Sequence, residues 1–356
     1  MKLDELIQRI APLDGSAMRR ARGRQDTLTK PLGSLGRLEE LSIQVAGIMA
    51  NPMPRVEHKV VLVMAGDHGV AEEGVSAYPS DVTGQMVQNF LRGGAAVNVL
   101  ARQAQARVTV VDMGIASDIP KQAGLTICKI APGTDNFTRG PAMSRQQAIE
   151  SILAGAATAE AEIESGADLI ATGDMGIGNS TAAAAIASAL TGRSAEELAG
   201  RGTGVDDEGL KRKISAIRRG LEMNQPDASD GRDVLAKVGG FEIGGLAGAI
   251  LGAAGRRKAV IVDGFISTSA AMIAVTLVPG VRDYLIAGHV SAEQGHRVML
   301  DWLQLEPLLD LGMRLGEGTG AALAMNLVDA ACRALTEMAT FDEAGVSGRN
   351  DGTRSA

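Results

Sequence analysis

Glu317 stands between Gly316 and Gly318, with Gly320 close behind, just before an Ala/Leu/Met-rich run that reads as a helix from about Thr319. Glycine neighbours leave its backbone free to carry the carboxylate into a cavity, where a weakly polar setting lifts the pKa and fits the group for general-base work. The plainer reading is a first-turn acid placed for the helix dipole. A second concentration of chemistry lies in residues 168–185, DLIATGDMGIGNSTAAAA. Residues 169–172 read as a short buried strand. Gly173, Gly176 and Gly178 then open the backbone, and Asn179, Ser180 and Thr181 can cap the Ala-rich helix that follows. Such a junction gathers free N–H groups and the positive end of a helix dipole at one spot, which suits a phosphate. Asp174 would repel that phosphate, so its carboxylate is expected to face a ribose hydroxyl or a cationic base. A tight turn before a well-capped helix would also explain these residues; three glycines, an acid and three polar caps favour a ligand.

The elements that must position these groups begin at Lys59, where strands and helices start to alternate. Strands are expected at 60–64, 108–112, 126–130, 169–172, 259–263 and 284–287. Helices are expected at 81–91, 95–103, 145–164, 181–190, 207–223, 243–255, 269–277 and 292–303, with Ser144 and Gln147 as a capping box and Gly166 as a stop. This alternation implies an α/β fold with a mostly parallel sheet and helices on both faces, ligands binding beyond the carboxyl ends of the strands. The strand ends read AGDHGV, DMGI, TGDMGIGN, DGFISTSAA and GHVSAEQGH. All carry glycine, and four carry an Asp at or just past the strand, Asp263 among them. Ordinary turns use the same residues, yet their repetition at one sheet edge marks the rim of one polar crevice.

Residues 1–57 look helical and separate. Leu3, Leu6, Ile7 and Ile10 suit one amphipathic helix; Leu38, Leu41, Val45 and Ile48 suit a second that Ser34 can cap, and the Pro-rich stretch 51–58 reads as a boundary. Lys213 shares a helix with Leu210, Ile214, Ile217 and Leu221 and sits near the edge of the apolar face, where snorkelling is the common outcome. His68, His289 and His296 lie in strand-end loops without metal-ligand spacing and read as core or turn residues; Asp67 with His68 shapes the crevice without a catalytic role. The tail beyond Met338, residues 347–356 above all, reads as mobile.

Composition narrows the class. Hydrophobic residues make up 45% and aromatics 2%, so the core must be built from Ala, Val, Leu, Ile and Met. A net charge of −7 leaves no basic excess for nucleic acid or an anionic membrane, and stacking platforms are lacking. Cys128 and Cys332 are too few for a disulfide framework or a zinc site. The N-terminus carries acids where a signal peptide needs cations, and the uncharged stretch 264–281 is too rich in Ser and Thr, with Pro279, to span a membrane. A reduced, cytoplasmic, soluble protein is expected.

Taken together and in order, TKPLGSLGRLEEL, AGDHGV, YPSDVTGQMV, GDMGIGNST, GRGTGVDD, DGFISTSAA, GHVSAEQGH and RLGEGTGAA resemble the nicotinate-nucleotide–dimethylbenzimidazole phosphoribosyltransferase family from about residue 27 to 345. The resemblance implies transfer of 5-phosphoribose from nicotinate mononucleotide to 5,6-dimethylbenzimidazole, giving α-ribazole 5′-phosphate and nicotinate for the lower ligand of cobalamin. It implies a homodimer, no metal and no other cofactor. It implies too a Rossmann-like large domain, 58–318, with a small helical domain drawn from the chain ends, 1–57 and 319–356. Glu317 matches the family's general base; Asp174 occupies a position where many members carry Glu, with the same charge on a shorter arm. Ser80, Met86, Gln88, Met175 and Leu315 match positions lining its benzimidazole pocket. Gly176, Ile177, Gly178, Asn179, Ser180 and Thr181 match its phosphate loop, with Lys213 as the charged partner and Asp263 at the nucleotide. The rivals are an NAD-type dehydrogenase, for which no strand leads into G-x-G-x-x-G, and a phosphoribosyltransferase using diphosphorylated ribose, which would want an acid where Gly264 stands. A third is a non-catalytic nucleotide sensor, which would not need Glu317.

Overall fold

The computed structural model describes residues 2–347. Three helices open the chain, α1 (Leu3–Gln8), α2 (Gly15–Gln25) and α3 (Arg37–Met49). Then come β1 (Lys59–Gly66), α4 (Asp81–Leu91), α5 (Ala96–Gln103), β2 (Ala106–Gly114), β3 (Leu125–Ile127), α6 (Arg145–Glu164), β4 (Leu169–Met175) and α7 (Asn179–Thr191). The remainder comprises α8 (Ala195–Leu198), α9 (Asp207–Asn224), α10 (Gly231–Val238), α11 (Phe241–Gly255), β5 (Ala259–Val262), α12 (Phe265–Leu277), β6 (Leu285–Ala287), α13 (His296–Leu303), α14 (Thr319–Glu337) and α15 (Phe341–Ala344).

The six strands among the described residues pair in parallel, in the order β3-β2-β1-β4-β5-β6. Every residue of β1, β5 and β6 is buried, as a sheet covered on both faces requires. The order reverses between β1 and β4, and right-handed crossovers then send the connecting helices to opposite faces. Their loops part at this point, opening a crevice past Gly66 and Met175. The fold is thus α/β and Rossmann-like.

The near absence of aromatics is answered by very close helix packing. On α6 and α11, a Cβ on Gly155 would collide with the Gly245 carbonyl, and one on Gly248 with that of Ile152. Backbone lies on backbone there, so little volume is left for rings to fill. Ser144 caps α6 through Gln147 as its sequence requires, and Gly166 turns left-handed behind it, φ 101°.

The chain divides into two compact units: the residues up to Pro12 with His58–Met325, and Leu13–Glu57 with the segment from Asn326. In the second, Ala21, Ile43, Ala46 and Leu335 form a small core against Met18, and Leu28 bridges Thr340.

Several local readings need correction. α2 has no strong apolar stripe and escapes pattern reading; Asp14 caps it, and it buries only Ala17, Ala21 and Gln25. Ser34 does not cap α3, which starts from Gly36, while Glu39 takes the Leu35 N–H and the Lys30 ammonium at 3.0 and 2.7 Å. α10, unforeseen, is capped by Asp230. Beyond Met338, where no element was expected, Thr340 forms a capping box with Glu343 and starts α15. Residues 348–356, the last half of the tail read as mobile, lie outside the described residues.

Candidate active site

The most consequential difference is at β4. Its ladder does not stop at Thr172: Gly173, Asp174 and Met175 continue it against Val63, Met64 and Ala65. Asp174 is therefore a strand residue at the switch point rather than a loop residue. Gly173 is required because Glu317 crosses directly over it; a Cβ there would run into the Glu317 carbonyl oxygen. The 316–318 turn is left-handed throughout, with φ of 83°, 62° and 94°. A non-glycine residue in that region carries strain, which packing over β4 must hold in place.

That turn delivers the Glu317 side chain into the crevice, where it is only 7% exposed. Its Oε2 accepts a long hydrogen bond from the Val97 N–H, 3.4 Å, at the start of α5. Burial holds its pKa above the usual carboxylate range, the Val97 N–H opposes this, and Asp263 adds to it. The carboxylate thus attends the N-terminus of α5 and not that of α14, the helix that follows it.

α14 is served by Asp263 instead. Its Oδ2 accepts from Gly318 N–H at 3.1 Å and its Oδ1 from Ala321 N–H at 2.8 Å, with His289 Nε2 3.9 Å from Oδ1. Assigned above to the nucleotide, Asp263 has both oxygens engaged in holding the Glu317 turn. Asp174 is less well satisfied. Its Oδ2 accepts from Asn179 Nδ2 at 3.0 Å, and its Oδ1 has no partner among the described residues. Burial drives its pKa well above the ordinary aspartate value, and the charges of Asp263, Glu242 and Glu317 push the same way against Asn179. Several buried carboxylates thus converge on one crevice. Among the described residues, no group of three or more His, Cys, Asp or Glu is set to hold a metal ion.

The loop after β4 differs from its capping forecast. α7 begins at Asn179 with Gly178 as its N-cap, and no side chain among the described residues caps it. Asn179 reaches back to Asp174, the Ser180 hydroxyl accepts from Lys213, and the buried Thr181 hydroxyl has no partner among the described residues. The Ile177 N–H donates to the Thr83 hydroxyl at 3.1 Å and so is not free for a phosphate. The N–H groups of Gly178 and Ser180 have no acceptor among the described residues; at the positive end of α7, they are the loop's available anion donors. Gly176 fits because its backbone lies on the Gly66 carbonyl. Lys213 does not snorkel: it is 0% exposed, its Nζ donating to Ser180 Oγ at 2.8 Å and to the Gly200 carbonyl at 3.1 Å. Burial lowers its pKa to about 8, with Glu293 opposing.

The residues matched to a benzimidazole pocket are drawn from several elements. Ser80 sits at the N-cap of α4 without capping it, Met86 and Gln88 are half-buried farther along that helix, and Met175 ends β4. Two positions apart on a helix, Met86 and Gln88 flank the buried Thr83–Val87 stripe on opposite sides. Leu315 is 57% exposed, two residues before Glu317. Pattern reading assigned no role to Thr83 or Glu242. His68 Nε2 lies 2.7 Å from Glu242 Oε1, both fully enclosed, under the loop at Gly176 and Gly178. Only the Asp-His pair in AGDHGV hinted at this; nothing in the sequence singles out its partner 174 residues away.

A family model described as phosphoribosyltransferase matches residues 10–346 and places this all-parallel sheet, with its glycine-rich loop at the switch point and the buried Glu317 carboxylate beside it, among the phosphoribosyl-transferring enzymes. The nicotinate-nucleotide–dimethylbenzimidazole phosphoribosyltransferase of Roseiflexus sp. (strain RS-1) is 60% identical over 347 residues, 98% of each chain. That of Chloroflexus aggregans is 59% identical over 349 residues, covering 98% of this chain and 99% of its own. The crystal structure of CobT from Thermus thermophilus superposes with a TM-score of 0.91 at 48% identity, over 94% of this chain and 100% of that one. The chain belongs to the nicotinate-nucleotide–dimethylbenzimidazole phosphoribosyltransferase family.

Proposed function

We propose that the chain transfers 5-phosphoribose from nicotinate mononucleotide to 5,6-dimethylbenzimidazole, releasing nicotinate and forming α-ribazole 5′-phosphate for the lower ligand of cobalamin. The observation that carries this reading is Glu317, a strained, buried carboxylate beside an anion-binding loop. Nicotinate bound through its ring nitrogen is a pyridinium, so it departs with the C1′–N electron pair and needs no acid. One benzimidazole nitrogen attacks C1′ from the opposite face, inverting the centre, while Glu317 takes the proton from the imidazole ring. Burial raises the Glu317 pKa, and a carboxylate with a raised pKa is the stronger base for that transfer. The substrate phosphate is held by the Gly178 and Ser180 N–H groups, with the Lys213 ammonium behind Ser180. Ser80, Met86, Gln88, Met175 and Leu315 receive the flat ring, and Met thioethers suit such a surface. Asp174 stands near the reaction as a hydrogen-bonding group rather than a second base.

Mixing the protein with both substrates and following free nicotinate by chromatography tests the reading directly. Glu317→Gln is expected to lower turnover by roughly 10²–10⁴, the usual scale for a general base, while calorimetry still detects both substrates. Turnover near that of the unaltered enzyme would remove Glu317 from the role. We also propose a cytoplasmic homodimer. No helix among the described residues is long and apolar enough to cross a membrane.

A further inference from the structure

The Thr83 hydroxyl ties three parts of the crevice together. It donates to Asp67 Oδ1 at 2.6 Å, which leaves its lone pairs to accept the Ile177 N–H at 3.1 Å. Thr83 belongs to the buried face of α4, Ile177 to the loop after β4, and Asp67 to the end of β1. Asp67 is a fixed anchor. Its Oδ2 accepts from Ala116 N–H at 2.8 Å, its own N–H donates to the Gly114 carbonyl at 2.9 Å, and its carbonyl accepts from Thr134 N–H at 3.0 Å. α4 has no such anchor at its start, since Ser80 makes no cap bond.

We propose that Thr83 is a positioning residue that couples the two substrate sites, because its hydroxyl joins the helix carrying Ser80, Met86 and Gln88 to the loop whose next N–H groups face the phosphate. This inference rests on the functional reading above. A phosphate drawn to the Gly178 and Ser180 N–H groups fixes the loop. Through Ile177 it fixes the register of α4 against Asp67, so the acceptor base meets a site already in shape. The coupling is reciprocal, as any binding linkage must be. Removing the hydroxyl leaves a buried N–H and a carboxylate oxygen unpaired and lets helix and loop settle independently.

The test uses full-length protein carrying Glu317→Gln, so that both substrates can be present without turnover. Dimethylbenzimidazole is titrated calorimetrically with and without saturating nicotinate mononucleotide. Its affinity is expected to rise about 5-fold or more with the nucleotide when Thr83 is intact. The rise should persist with Thr83→Ser and vanish with Thr83→Val. Should Thr83→Val not fold, hydrogen exchange on the unaltered enzyme decides: nicotinate mononucleotide alone should slow exchange over 81–91 as well as 176–181. Coupling that survives Thr83→Val overturns the relay, as does protection confined to the loop. Two ligands that bind independently in the presence of Thr83 would overturn the relay alone; a nucleotide that does not bind would bring down the functional reading and the relay with it.

Discussion

At the scale of single residues, the candidate site holds Lys213 and Asp174 where little solvent reaches them, and each placement has a pH signature. Lys213 is held near pKa 8 by burial, far below the ordinary lysine value of 10.5. The folded state therefore carries a penalty for the buried ammonium at all lower pH, relieved as pH rises from about 8 toward the unfolded value. A bound phosphate would hold the proton on, so affinity for nicotinate mononucleotide is expected to fall as pH rises past about 8. Calorimetry across that range should show the fall, and Lys213→Ala should both weaken the nucleotide and flatten the profile. Asp174 has the opposite sign. Its raised pKa means that the native state binds a proton more tightly than the unfolded chain, so stability is lost as pH rises above the ordinary aspartate value. Asp174→Asn removes that charge yet can still accept from Asn179. It should melt higher than the unaltered protein near pH 8, with the gain shrinking toward pH 4; an equal melting temperature throughout would show that Asp174 carries no charge penalty.

At the scale of elements, glycine does two different jobs here. In the turn around Glu317 it supplies left-handed backbone; on α6 and α11 it removes side chains so that two helices can touch. Gly248→Ala forces a methyl onto the Ile152 carbonyl. It is expected to destabilise the fold by about 1–3 kcal/mol, read as a lower urea midpoint with an unchanged slope. Long, periodic elements were legible: α4 and α6 have the bounds their sequences suggest. β4 was legible only to Thr172, because its last residues are a glycine, an acid and a methionine. What makes them a strand is the neighbouring ladder and the turn lying over them, not their own propensity.

At the scale of the molecule, the proposed homodimer should give a light-scattering mass of twice 36.7 kDa; a monomer at working concentration would refute it. The class of fold, the rim of strand-end loops and the glycine-framed turn that carries the Glu317 carboxylate inward were readable from the chain, because period, composition and glycine placement are local properties of sequence. The tertiary structure alone decided which partner each polar group would have. Asp263 went to α14, Asn179 to Asp174 and Ile177 to Thr83, none of them the partner that capping rules or spacing indicated. A buried hydrogen-bonding group takes whatever the folded chain brings within about 3 Å, and what arrives there is set by how strands and helices pack across long separations in sequence.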